Sequence, residues 1–184
     1  MSPARPMRAD AVRNRRLLLD AAREAFARGG VTASLDEVAK AAGVGAGTLY
    51  RHFPTRDALV LAVIDDGLME LHRLGRDRMT VAEPLAALRD WLQAYIAQAR
   101  MFDGLAKTLA CARPESSEAC RLSRESGAEL VSRAAAAGLI RPNVDIGDVL
   151  DLAAAIAWVG EQPGRDEAQR RRLLDIVIDG IRPT

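Results

Sequence analysis

Residues 43–59 of this 184-residue chain read GVGAGTLYRHFPTRDAL, and they predict the second half of a helix-turn-helix. The segment before them ends in AKAAG, and its Gly43 supplies the left-handed backbone that the turn needs. The segment after the turn is a short helix, which ends before Pro54 because proline disfavours a helical conformation at the preceding residue. A helix this short is unstable alone, so it must pack through Leu49 and Phe53 and leave its opposite side free.

The segment before the turn carries its own start signal. Residues 34–37 read SLDE, the capping-box pattern, in which the serine hydroxyl accepts a hydrogen bond from the backbone N–H of Glu37. A longer helix should precede this segment, beginning at Asp10 and ending at a pair of glycines. Residues 1–9 contain two prolines and are expected to form a disordered basic arm.

The rest of the chain also reads as helix. Alanine, leucine and arginine dominate, and no sustained apolar–polar alternation of the kind that strands need is present. The clearest amphipathic stripe begins at Pro84. We therefore expect an all-α protein of about nine helices, with the remaining helices at 55–74, 84–102, 103–112, 114–137, 146–160 and 166–181.

Composition and charge narrow the class of protein. Hydrophobic residues make up 49% of the chain, enough for a real core. Residues 1–60 hold ten Lys/Arg and six Asp/Glu, a balance of +4, whereas residues 61–184 hold sixteen and nineteen, a balance of −3. The basic first third suggests a polyanionic partner. No membrane segment or secretory signal is recognisable, so a cytoplasmic protein is expected, associated with the nucleoid when it binds DNA.

The free side of the second short helix carries the candidate nucleic-acid contacts. Its small residues permit close approach to a surface, and its hydroxyl, imidazole and guanidinium groups can hydrogen-bond phosphates or base edges. These residues are Gly45, Ala46, Thr48, Tyr50, Arg51 and His52. Arg56 could add a phosphate contact from the next helix. Backbone or minor-groove contact is expected from some of the N-terminal arginines, Arg5, Arg8, Arg13, Arg15 and Arg16.

The run TASLDEVAKAAGVGAGTLYRHFPTRDALVLAV resembles the DNA-binding domain of TetR-family transcriptional regulators. The match covers residues 10 to about 72, and GTLYRHF is its most characteristic part. The resemblance implies a helix-turn-helix DNA-binding domain over 10–54, with the motif at about 34–53, and a connecting helix over 55–74. It further implies a helical ligand-binding and dimerisation domain over 80–184. Such proteins are usually homodimeric repressors, released from a palindromic double-stranded operator by a small-molecule effector.

Carried over by position, the resemblance implies that Thr48, Tyr50 and His52 lie at the DNA surface and that Ser34 and Arg56 hold phosphate. The chain departs from the family pattern at Gly45 and Ala46, where many members place base-reading or capping side chains. Specificity would then depend on Thr48, Arg51 and the N-terminal arginines, or on the shape of the DNA.

The last two helices are apolar nearly all round, which indicates burial on two sides. Pairing them with a second copy as a four-helix interface would hold two recognition helices one DNA turn apart, roughly 34–36 Å. The alternative is a monomer in which these helices pack within one core. The expected interface residues are Leu152, Ile156, Trp158, Val159, Leu173, Leu174, Val177, Ile178 and Ile181.

Aromatic and aliphatic residues of the middle helices are expected to line a pocket for an apolar effector with one or two polar groups. They are Met69, His72, Trp91, Tyr95, Phe102, Leu105, Leu109 and Leu122. Trp91 lies off the main stripe, so it is either a pocket wall or an interface residue. The effector would act by shifting the helix that carries the DNA-binding head.

Other classes of function find little support. GVGAGT is not a nucleotide-binding loop, because Thr48 stands where the third glycine should be and no strand precedes it. No nucleophile–base pair, metal triad or paired carboxylates indicate an enzyme, and a scaffold would leave GTLYRHF unexplained. Cys111 and Cys120 are interpreted as buried or functionally inert thiols, and a redox switch is the alternative. No cofactor or metal is expected. The alternative function is a transcriptional activator or a ligand-independent regulator of the same fold.

Overall fold

The computed structural model describes residues 4–106, 117–160 and 162–183, which form eight α-helices and one turn of 3₁₀ helix, with no strand among them. The all-α fold is confirmed. The α-helices are α1 Ala4–Gly29, α2 Leu35–Ala41, α3 Ala46–His52, α4 Arg56–Arg78, α5 Pro84–Ala106, α6 Glu118–Ala136, α7 Ile146–Val159 and α8 Glu167–Gly180, and the 3₁₀ turn is Gly30–Thr32.

The first helix begins earlier than the sequence predicts. The expectation of a disordered arm is wrong for residues 4–9, because α1 starts at Ala4 and not at Asp10. Pro6 lies in the first turn of α1, where the backbone N–H has no partner within the helix and the fixed φ of proline suits helical geometry. Pro6 is therefore compatible with the first turn of α1 and does not interrupt the helix.

Two further boundaries differ from expectation. The helix α5 runs on through Asp103 to Ala106, so no new helix begins at 103; the rest of the expected 103–112 segment lies outside the described residues. Its single internal glycine weakens a helix without ending it. The helix α6 begins at Glu118 and not at Pro114, because the Ser117 side chain caps it by accepting the Cys120 N–H at 3.1 Å.

The described residues divide into two compact units, and α4 contributes to both. Of the described residues, the first unit holds 4–66 and 104–106, and the second holds Gly67–Asp103 and the C-terminal helices. The core of the first unit is built from buried apolar residues of α1 to α4, which fix the two short helices; they include Leu18, Leu19, Phe26, Val38, Leu49, Phe53, Leu59 and Val63.

Trp91 of α5 is the largest fully buried side chain of the second unit. Its indole Nε1 donates to the Leu71 carbonyl of α4 at 2.9 Å. A Cβ on Gly127 of α6 would lie 2.8 Å from Cζ3 of the indole, and one on Gly75 of α4 would lie 3.2 Å from Nε1. Trp91 is therefore not an exposed interface residue, because two glycines let α4 and α6 close over it; its place in the wall of an effector pocket remains a prediction.

Candidate nucleic-acid interface

The turn between α2 and α3 is set by local signals. The Ser34 Oγ accepts the Glu37 backbone N–H at 3.4 Å, as the sequence predicts, and so caps α2. At the other end of α2, Gly43 has φ +69°, a left-handed conformation that side-chain-bearing residues rarely adopt. The Val44 N–H then donates to the Ala39 carbonyl at 3.0 Å, which closes the helix end.

The third helix packs on one side and is open on the other. Leu49 and Phe53 are buried, as predicted, while Tyr50 keeps 48% of its surface exposed and Arg51 is also exposed. Half-buried Thr48 and His52 flank this open side. The structure therefore brings the predicted polar residues of α3 to one accessible surface.

The start of α3 carries almost no side chains. The helix begins at Ala46, with Gly45 as an extended N-cap that makes no side-chain hydrogen bond. Gly45, Ala46 and Gly47 are exposed, and a Cβ on either glycine would meet no atom within 4 Å. The chain itself therefore leaves room for a side chain at both glycines.

Replacing Gly47 with alanine is expected to raise the free energy of unfolding by about 0.5–1 kcal/mol, because glycine inside a helix is less favourable than alanine and the site is open. Urea denaturation of the DNA-free protein measures the change. Gly43→Ala is the matched control in the same motif, and it should destabilise, because its φ is left-handed. A loss of stability in Gly47→Ala would show that α3 is held differently.

Two arginines of α1 that were expected at DNA have partners within the protein. The Arg15 guanidinium lies 5.5 Å from the centroid of the Phe53 ring, a cation–π distance. The Arg16 guanidinium pairs with Asp20 at 3.1 Å and with Asp66 of α4 at 3.3 Å. Arg13 is exposed, and the side chains of Arg5 and Arg8 lie outside the described residues.

Asp66 joins α1 to α4 inside the first unit. Its carboxylate accepts from Arg23 at 2.7 Å as well as from Arg16, and its side chain is only 17% exposed. Charge pairs with this little exposure are screened less than surface pairs. Since nothing in the residue spacing pairs these positions, sequence reasoning missed this contact.

Arg56 also has a partner within the protein. Its Nη1 donates to the Ala33 carbonyl at 2.6 Å, and its side chain is half-buried. This bond links the first residue of α4 to the residue before the Ser34 cap of α2.

The predicted interface residues of α7 and α8 fall into two groups. The prediction is wrong for four of them, Ile156, Leu174, Ile178 and Ile181, which are buried in the core of their own chain. They turn inward because α7 and α8 pack on each other and on the same cluster as Trp91. Of the others, Leu152 and Trp158 are exposed, while Val159, Leu173 and Val177 are half-buried.

The sequence reading missed Ile176, which is 66% exposed on α8. It lies one helical turn from the half-buried Leu173, so the signal was present in the spacing. Two large apolar side chains of α7, Leu152 (48%) and Trp158 (51%), are comparably exposed. These three residues are called the α7/α8 apolar surface below.

The expected effector pocket remains a prediction. Met69 is half-buried, and His72 lies with its Nδ1 3.0 Å from the Leu122 carbonyl. Leu109 and the side chains of Phe102 and Leu105 lie outside the described residues. None of the predicted pocket residues lines the cavity of about 50 Å³ between α5 and α8, whose walls are Gln93, Ile96, Ala97, Glu167, Arg170, Arg171 and Leu174. That cavity is far smaller than the roughly 300 Å³ or more of typical ligand pockets.

Tyr95 is a polar group among these apolar residues. Its ring stacks on Trp91 with centroids 6.1 Å apart. Burial raises the pKa of the Tyr95 phenol, the Cys120 thiol and Asp151 carboxylate raise it further, and Arg124 opposes them. The phenol is therefore neutral at physiological pH and can donate a hydrogen bond.

Other kinds of site are not seen in the parts of the chain that the structure covers. Among them, no three His, Cys, Asp or Glu side chains are grouped as metal ligands would be. Cys120 is a half-buried free thiol, and Cys111 lies outside the described residues. No described helix is both long and apolar enough to span a bilayer.

Comparison with known proteins identifies both halves of the chain. Residues 18–63 match the family model of bacterial regulatory proteins of the tetR family. Residues 83–183 match the model of the C-terminal domain of SbtR-like transcriptional regulators. An uncharacterized HTH-type transcriptional regulator of Mycobacterium tuberculosis is 30% identical over 183 residues, covering 90% of this chain and 84% of the relative.

Solved structures show the same relationship. The TetR transcriptional regulator SCO0520 of Streptomyces coelicolor is 35% identical, with a TM-score of 0.78 over 92% of this chain and 99% of that one. The TetR-like regulator LfrR of Mycobacterium smegmatis, solved in complex with proflavine, has a TM-score of 0.69 over 94% of this chain and 97% of that one. At 23% identity, LfrR supports the likeness of fold alone.

Proposed function

Because this chain belongs to the TetR family of bacterial transcriptional regulators, we propose that it is a repressor that binds a palindromic operator as a homodimer and leaves it when a small, largely apolar effector binds. We assign DNA binding to the first compact unit, and effector binding and dimerisation to the second. The observation that carries the DNA-binding part is the open side of α3, where Tyr50 and Arg51 are exposed beyond a capped and closed turn.

We propose that α3 enters the major groove with this side facing the base edges. Thr48 and Arg51 would read bases, and Tyr50 and His52 would contact bases or phosphates, since all four carry hydrogen-bonding groups at the accessible surface. The bare start of α3, Gly45 and Ala46, permits its backbone to approach the DNA closely. The exposed cap of α2 at Ser34 would meet a phosphate.

The helical form of the N-terminus changes one expectation about α1. A helix with its side chains is about 10 Å across, whereas the minor groove of B-DNA is about 6 Å wide. Because α1 is helical from Ala4, we propose that its arginines reach phosphates from outside and do not enter the minor groove. Exposed Arg13 is the best-placed candidate.

We propose that a second copy of the chain covers the α7/α8 apolar surface. Three large apolar side chains are each about half exposed or more on these two helices. Large aromatic and aliphatic side chains that a chain leaves exposed are typical of interfaces with a partner. A symmetric dimer would place two copies of α3 roughly 34–36 Å apart, one turn of DNA.

We propose that α4 transmits the effector signal, because its 23 residues belong partly to each unit. An effector bound by the second unit would shift α4. The first turns of α4, which follow α3 in the chain, would move with it. Coupling free energies of this kind are typically about 1–3 kcal/mol.

The DNA-binding proposal is tested by selection from a library of random 30-base-pair duplexes with the purified protein. We expect enrichment of a palindrome whose half-sites are about one helical turn apart. Fluorescence anisotropy on the enriched duplex should show tight, saturable binding that weakens steeply with salt. If no sequence is enriched and binding is equal for every duplex, the operator-binding proposal fails.

The double substitution Tyr50→Ala/His52→Ala is expected to weaken binding to that duplex by about 100-fold, since two base or phosphate contacts are lost in each subunit. The unfolding midpoint of DNA-free Tyr50→Ala serves as a control and should stay near the wild-type value, because Tyr50 is half exposed. Equal affinities of wild type and double variant would remove α3 from the interface.

A further inference from the structure

We infer that Arg56 is a positioning residue that holds the start of α2, and that it does not contact phosphate. The inference rests on the proposed DNA-binding function, because it concerns how the helix-turn-helix is presented to a duplex. Arg56 is the first residue of α4, and its side chain is half-buried. Its partner Ala33 immediately precedes Ser34, the N-cap of α2.

The bond between them is short and assisted by charge. The Arg56 Nη1 donates to the Ala33 carbonyl oxygen at 2.6 Å, a distance typical of strong hydrogen bonds from a cationic donor. Ala33 has extended backbone angles, φ −50° and ψ 141°, and its own N–H donates to the Gly30 carbonyl at 3.2 Å. The link between the 3₁₀ turn and α2 is therefore tied down at both of its backbone groups.

The Ala33 carbonyl also lies just outside the hydrogen-bond ladder of α2. That ladder starts one residue later, where the Val38 N–H donates to the Ser34 carbonyl at 3.1 Å. A backbone carbonyl away from the ladder needs another partner, and Arg56 provides it. The arginine thus connects the first turn of α4 to the entrance of α2 across 23 residues of sequence.

The entrance of α2 needs such an anchor. With seven residues, α2 gains little stability from its own hydrogen bonds, so its direction depends on its tertiary contacts, which include the Arg56 bond at its start. A cation in the first turn of α4 is also unfavourable to the dipole of that helix. A carbonyl acceptor beside the guanidinium offsets that repulsion and fixes where the charge sits. In the proposed complex, this contact sets the angle at which Ser34 and then α3 meet the DNA.

Two variants and two measurements test the inference. Arg56→Met keeps an unbranched side chain but removes the charge and every N–H donor, while Arg56→Lys keeps the charge and a donor. Hydrogen–deuterium exchange of Leu35–Ala41 is measured in the DNA-free protein. The slope of log Kobs against log salt concentration is measured on the duplex selected from the random library, and it counts the phosphates neutralised.

For Arg56→Met we expect about tenfold faster exchange in α2 and about tenfold weaker binding, the loss of one hydrogen bond to a charged group, with an unchanged salt slope. Arg56→Lys should recover part of both losses. A slope reduced by about 0.9 per subunit in Arg56→Met would show a lost phosphate contact and overturn the inference. Unchanged exchange in α2 would overturn it as well.

The two proposals fail in different ways. If the wild type selects no duplex sequence from the random library, the proposed function fails. Hydrogen–deuterium exchange of α2 in the DNA-free protein still decides whether Arg56 holds the start of α2. Arg51→Met is the matched control, since Arg51 is an exposed arginine on α3. Its substitution should weaken DNA binding and leave the exchange of α2 in the free protein unchanged.

Discussion

Replacing Trp91 with alanine is expected to lower the free energy of unfolding by about 3–5 kcal/mol, the usual cost of truncating a fully buried tryptophan. The side chain is 0% exposed and its Nε1 is bonded to the Leu71 carbonyl. It fills the space between α4, α5 and α6 that Gly75 and Gly127 leave open. These backbones are already close, so they can collapse only partly into the cavity that alanine would leave.

Urea denaturation of the full chain, followed by circular dichroism, measures this loss. Gln93→Ala is the matched control, because Gln93 is exposed two residues further along α5 and its loss should change stability by less than about 0.5 kcal/mol. The converse variant Gly127→Ala adds a methyl group that overlaps the indole ring, and it should destabilise by about 1–3 kcal/mol.

Combining the two sites gives a stricter test. If Gly127→Ala is harmful because it meets the indole, it should cost much less in a Trp91→Leu background, where the ring is absent. Additive costs would mean that the two residues are not in contact, and the description of this core would be wrong.

Local chemistry made the helix-turn-helix predictable. The Ser34 cap, the left-handed turn at Gly43 and the stop before Pro54 act within a few residues, and each is where the sequence predicts it. The open side of α3 follows from the same reasoning, since Leu49 and Phe53 must face the core. In a helix of seven residues, once one side faces the core the other side is left exposed.

The contacts between helices that sequence reasoning missed join residues distant in the chain. Asp66 lies 50 residues from Arg16 and 43 from Arg23, and a surplus of arginines over the first 60 residues does not say which of them a carboxylate will hold. Burial of Trp91 likewise depends on two glycines that only the packing of other helices brings to it. The fold also engages arginines whose partners the sequence does not reveal, as the Arg15 guanidinium over the Phe53 ring shows.

The same limit explains the errors on α7 and α8. Both helices are apolar nearly all round, so the pattern predicts that two sides are covered without saying which side the chain itself covers. Ile156 and Trp158 are two positions apart, yet one is 5% and the other 51% exposed. A two-residue step turns a helix by roughly 200°, which separates core from surface. Only the residues on the outward side remain candidates for a partner.

If a second copy covers the α7/α8 apolar surface as proposed, aspartate in place of Ile176 is expected to leave the protein monomeric. Binding to the full palindrome should then weaken by about 100-fold or more, because the avidity of two linked heads is lost. Ile176 is 66% exposed on α8, so the change should leave the fold of its own chain intact. Against a second copy, however, it would bury an unpaired carboxylate in the α7/α8 apolar surface, which is strongly unfavourable.

Sedimentation velocity measures the mass of the variant, and anisotropy compares the full palindrome with a duplex carrying one half-site. Loss of the dimer alone should leave half-site binding equal to that of the wild type, whereas damage to α3 would weaken both. Ala86→Asp is the control, since it puts the same charge on an exposed position of α5. If Ile176→Asp stays dimeric while Ala86→Asp does not, the partner covers α5, and the spacing of the two heads must be derived from a different interface.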